Sequence, residues 1–166
     1  MSKEKHNHKE GFECEACKIG MKAMKEKEAG FLKNPGWFAH YVPDPTYPNG
    51  MNVHTHGLEE NFKHLDLQIC LAMDQRICHQ ILNNAIGEIK AGKKFEAGEK
   101  YDDVIEASPA YKDLKLKVLF LEAEEGGRKV LRMIFPEKDG SFMGQMSSKQ
   151  MEGCKVPEDL ILYYTL

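Results

Sequence analysis

Arginine is scarce in this chain: Arg76, Arg128 and Arg132 are the arginines among 23 basic residues, and 26 acidic residues leave a formal net charge of −3. Sequence-specific nucleic-acid readout leans on arginine forks and clustered positive charge, so the composition argues against a nucleic-acid partner. Long apolar runs are also lacking. No stretch approaches the roughly 20 residues that cross a bilayer, and Met1 to Lys9 is charged and histidine-bearing with no apolar signal-like core. The expectation is a cytoplasmic protein without membrane contact. The five cysteines (Cys14, Cys17, Cys70, Cys78 and Cys154) are odd in number and scattered, which fits reduced thiols better than a disulfide framework. Gly-x-Ser-x-Gly is absent, and Gly126-Gly127 lies between two strand-like runs rather than between a strand and a helix. Serine-nucleophile and phosphate-loop chemistry therefore find no support.

What is present is an ordinary globular composition, 42% hydrophobic and 30% charged over 166 residues. A chain of this size buries roughly 70% of its surface and needs neither disulfide nor metal to be stable. Residues 1–13 are polar and read as a flexible tail, leaving 14–166 as a single domain. From Glu15 to Ala29, Cys17, Met21, Met24 and Ala29 recur at roughly helical spacing, with Gly30 placed as a stop. Trp37 to Val42 reads as a strand with Phe38, His40 and Val42 on one face. Asn52 to Leu58 reads as a second strand, with Glu59 and Glu60 in the loop beyond it. A third, Leu65 to Ala72, puts Leu65, Leu67, Ile69 and Leu71 on one side and Asp66, Gln68 and Cys70 on the other.

The clearest element is a helix over 74–91. Ile77, Ile81, Ala85 and Ile89, flanked by Cys78, Leu82 and Ile86, make a broad apolar stripe between an Asp74 N-cap and Gly92. Tyr101 to Glu106 reads as a short strand, and Leu114 to Ala123 with Arg128 to Phe135 as a hairpin around a four-residue turn. The methionines Met133, Met143, Met146 and Met151 are expected to fill core gaps. The run Leu160 to Tyr164 is strand-like, expected to be paired in the sheet or buried in a homodimer. This order of elements is α+β: an antiparallel or mixed sheet with the long amphipathic helix packed on one face.

Three stretches resemble the bacterial family catalogued as domain of unknown function 4262. They are Pro35-Gly36-Trp37 leading into a strand, Thr55-x-Gly57-Leu58 followed by His64-Leu65-Asp66, and Ile134-Phe135-Pro136-Glu137 running on to Gly140-Ser141-Phe142. His54 stands where the family usually has tyrosine, Leu65 where it has proline and Phe135 where it has tryptophan. The resemblance implies a small bacterial α+β protein and carries no reaction with it.

Two constellations carry metal-ligand chemistry. His54-Thr55-His56 places two imidazoles about 7 Å apart on one side of a strand, and a hairpin would bring Asp66 to them, with His64 as a fourth donor. Zinc or another divalent transition metal accepts such a set. The second constellation is His6-x-His8 with Cys14-x-x-Cys17, where the histidines would complete a cysteine pair. The sequence thus supports two readings. One is a non-enzymatic interaction domain that meets a protein partner around His54 to Asp66; the other is a metal-dependent enzyme of hydrolase or oxygenase type using His54, His56, His64 and Asp66.

Overall fold

The computed structural model describes residues 19–44, 50–105 and 116–161. Helix α1 (Met21–Lys33) precedes strands β1 (Phe38–Pro43) and β2 (Met51–His56), a short helix α2 (Leu58–Phe62) and strand β3 (Asp66–Leu71). Helix α3 (Gln75–Lys90) leads to β4 (Lys100–Tyr101), β5 (Val118–Glu125), β6 (Arg128–Ile134), α4 (Gln145–Gln150) and α5 (Glu158–Ile161). The strands form one six-stranded mixed sheet in the order β1-β2-β3-β6-β5-β4. Two antiparallel ribbons, β1-β2-β3 and β4-β5-β6, are joined by the parallel pair β3 and β6. The chain is therefore α+β, and no helix among the described residues is long and apolar enough to cross a membrane.

Alternation along the strands divides the apolar residues between the two sheet faces. One face packs Val53, Leu67, Ile69, Leu71, Phe120, Leu131 and Met133 against the α3 stripe Cys78, Ile81, Leu82, Ala85, Ile86 and Ile89. Asp74 caps α3 by accepting a hydrogen bond from the Arg76 amide at 2.8 Å, while Ile77, expected in the stripe, is exposed. A smaller cluster of Leu119, Leu121, Ile134, Phe142 and Met151 comes from the alternate positions of β5 and β6 and from the C-terminal segment. Met133 and Met151 fill these cores as expected, whereas Met143 is exposed.

Several boundaries differ from the sequence reading for identifiable reasons. Gly30 does not stop α1. A helical glycine costs only about 1 kcal/mol, and the helix runs on to Lys33, where Pro35 forces its predecessor Asn34 into an extended conformation. Glu59 and Glu60 lie in the first turn of α2 rather than in a loop. The hairpin turn is tighter than four residues. Gly126 and Gly127 both take positive φ (55° and 76°), which suits a two-residue turn and keeps Glu125 paired with Arg128. Leu160 and Ile161 sit in the helical turn α5 instead of a strand. The remainder of that run, the tail over 1–13 and the constellation His6, His8, Cys14 and Cys17 lie outside the described residues.

Candidate metal centre

The β1-β2 pairing sets Phe38 opposite His56, His40 opposite His54 and Val42 opposite Asn52. Directly opposed residues share a face and approach within contact distance, so this register inserts His40 beside the two histidines of β2. Ring centroids are 5.4 Å apart for His40 and His54, 4.6 Å for His40 and His56, and 5.2 Å for His54 and His56. One ring nitrogen from each residue lies within 4.8 Å of the other two. Phe38 stacks on His56 at 4.9 Å and walls one side of the group.

Acceptor side chains face one ring nitrogen each of His40 and His54. Glu28 of α1 accepts from His40 Nε2 at 2.6 Å, so in the neutral tautomer of that ring the lone pair lies on Nδ1. His54 Nδ1 faces two acceptors, Asn52 Oδ1 at 3.3 Å and Glu125 Oε1 at 3.8 Å, which favours a proton there and a lone pair on Nε2. Glu125 is held in turn by Asn52 Nδ2 at 2.9 Å and Gln68 Nε2 at 2.8 Å, and Gln68 Oε1 accepts from Arg132 Nε at 2.7 Å. His56 Nε2 is buried without a hydrogen-bond partner. An orphaned buried acceptor or donor costs about 1–3 kcal/mol and calls for an explanation.

Burial, reinforced by the Arg128 guanidinium and by the two neighbouring imidazoles, pulls His56 down to about 3. His54 is lowered as well, mainly by burial and against the opposing pull of Glu125. Both are neutral near pH 7, the protonation state that a metal ligand requires.

His64 and Asp66 are spent elsewhere. His64 Nδ1 donates to the Leu65 carbonyl at 2.7 Å and its Nε2 accepts from the Phe95 amide at 3.1 Å, so both ring nitrogens carry backbone bonds. Asp66 accepts from Thr55 Oγ1 at 2.9 Å and the Leu58 amide at 3.1 Å on one oxygen, and from Arg128 Nη1 at 3.0 Å on the other. In the β2-β3 register the residue opposite His54 is Gln68 rather than Asp66. Thus the structure brings His54 and His56 together, adds His40, and gives His64 and Asp66 other partners.

A cavity of about 180 Å³ opens farther along the sheet beside Asn52, Cys70 and Arg132. Burial pushes the Cys70 thiol up to about 11, so it is a protonated lining group rather than a nucleophile. His40, Glu28 and Glu125 were not assigned to a site from the sequence. The readable signal was the alternation Phe38, His40, Val42, which becomes informative only once β1 is paired with β2.

A family profile described as a domain of unknown function (DUF4262) matches residues 32–148. The chain belongs to this family. The match spans the three histidines, α3 and the central hairpin, and it leaves Glu28 of α1 just outside its N-terminal limit. No curated protein and no solved structure matches the chain.

Proposed function

We infer that this DUF4262 protein is a metal-binding domain in which His40, His54 and His56 hold one divalent transition-metal ion, with zinc the first choice for three imidazoles. The observation that carries this reading is that one ring nitrogen from each of the three imidazoles lies within 4.8 Å of the other two, in a group where His56 Nε2 is buried with no hydrogen-bond partner. Tetrahedral zinc at 2.0–2.1 Å from each nitrogen wants them roughly 3.3 Å apart. Zinc binding therefore requires the nitrogens to close by up to about 1.5 Å. Three protein donors leave one coordination position for water or substrate, as in catalytic rather than structural zinc sites. This favours a metal-dependent enzyme of hydrolase or oxygenase type over a purely structural ion.

The test is elemental analysis of tag-free protein purified without a nickel column, alongside His54→Ala/His56→Ala and Cys14→Ser/Cys17→Ser variants. Near-stoichiometric metal that disappears only in the histidine variant supports the reading and directs activity screens to that ion. Metal lost only in the cysteine variant, or metal-free wild type that does not take up zinc on titration, overturns it.

A second reading, a protein-interaction domain, is favoured by the outward-facing apolar residues Ile19, Met21 and Phe31. His54, Thr55, His64 and Asp66 are buried, so a partner at the expected stretch would meet Glu59, Glu60 and the exposed end of α1 instead.

A further inference from the structure

Helix α1 is an unusual cover for such a site, because none of its residues is buried. Its half-buried positions are Met24, Glu28 and Leu32, spaced four apart, and therefore one stripe turned to the sheet. The C-terminal end of that stripe is pinned. Asn61 Nδ2 donates to the carbonyls of Leu32 at 3.1 Å and Gly36 at 2.9 Å, and Leu32 packs so closely on Gly57 that a Cβ there would come within 2.7 Å of it. Toward the N-terminus the stripe holds through Glu28 on His40, with Met24 one turn beyond. Gly30, two residues past Glu28, is the least helix-favouring residue between the pinned end and the Glu28 contact.

We propose that α1 is a metal-sensitive flap, in which docking of Glu28 on His40 and occupancy of the three-histidine site strengthen each other. The inference rests on the metal-binding reading above. With Nε2 engaged by Glu28, His40 would hold the metal through its other ring nitrogen, and the ion would withdraw electron density from the ring and make Nε2–H a stronger donor to Glu28. Conversely, the docked carboxylate fixes the tautomer and orientation of His40 and raises its basicity as a ligand. Because the coupling is a free energy shared by two equilibria, the factor by which Glu28 improves metal affinity equals the factor by which metal holds α1 down. Outer-sphere carboxylates of this kind are worth about 10–100-fold in affinity. The opened flap would free His40 from Glu28 and expose the histidines for loading.

The experiment is hydrogen exchange of the full chain, freed of metal by a chelator, with and without one equivalent of Zn²⁺, paired with calorimetric zinc titration. In the wild type, zinc is expected to slow exchange of the 21–33 amides by about 10–100-fold, while the buried amides of α3 change little. Glu28→Ala, at a site where alanine favours the helix, is expected to weaken zinc binding by a similar factor and to abolish the slowing. Zinc that binds wild type without altering exchange over 21–33, or with equal affinity in Glu28→Ala, overturns the coupling and leaves the metal site standing. Slowing that persists in His54→Ala/His56→Ala overturns it as well, since zinc held elsewhere would then be the cause. Failure of wild type to take up zinc at all removes both the site and the flap.

Discussion

Two histidine-bearing regions lie close together in the chain and have opposite chemistry. Around His64 and Asp66, every polar atom that could serve a metal is already bonded: the imidazole to two backbone groups, the carboxylate to a hydroxyl, an amide and a guanidinium. Around His40, His54 and His56, one ring nitrogen each of His40 and His54 faces a carboxylate and His56 Nε2 has no partner. The same residue types therefore act as a structural clasp in one place and as a candidate metal centre in the other. Residue type and spacing nominate ligands, but the hydrogen bonds around them decide whether a lone pair is left to give.

The sharpest test of this contrast is the double substitution His54→Ala/His56→Ala. It is expected to eliminate zinc binding in a calorimetric titration while leaving the circular dichroism spectrum intact; retained binding would remove the distinction between the regions. The converse is Asp66→Ala, which orphans three donors in a buried setting. It is expected to cost about 3–5 kcal/mol in urea unfolding with no change in metal stoichiometry of the folded protein. His64→Ala should behave likewise on a smaller scale, losing about 1–3 kcal/mol because the Phe95 amide is left unpaired. Metal loss in that variant would return His64 to the site.

A finer comparison lies within the metal centre. Glu125→Gln removes the charge beside His54 Nδ1, and zinc affinity is expected to fall about 10-fold, read by competition with a chromophoric chelator. An unchanged affinity would make Glu125 a purely structural anchor for Asn52 and Gln68.

The metal-free fold also depends on pH. His56 is pulled down to about 3, and burial shifts His54 and His64 in the same direction. Between roughly pH 3 and the unfolded histidine value near 6.5, the unfolded chain binds more protons, so stability rises with pH through this window and is lost as pH falls. Each such histidine adds a slope of at most about 1.4 kcal/mol per pH unit. Urea midpoints measured from neutral pH down to about 5 are expected to decline, and less steeply when His56 is replaced by alanine.

The amino-acid sequence by itself determined what depends on local period and local punctuation. The 3.6-residue stripe of α3, the alternation that divides Leu67, Ile69 and Leu71 from Gln68 and Cys70, the Gly126-Gly127 turn and the same-side placement of His54 and His56 were all legible there. Each follows from backbone geometry within a few residues. Tertiary structure alone decided what depends on pairing between distant segments: the parallel junction of β3 with β6, the opposition of His40 to His54, and the arrival of Glu28 from α1. It also gave Asp66 its partners, because Thr55, Leu58 and Arg128 converge on that carboxylate only when β2, α2 and β6 are assembled. Side-chain direction along a strand is a local property, whereas register and hydrogen-bond satisfaction are properties of the whole fold, and the availability of a ligand depends on both.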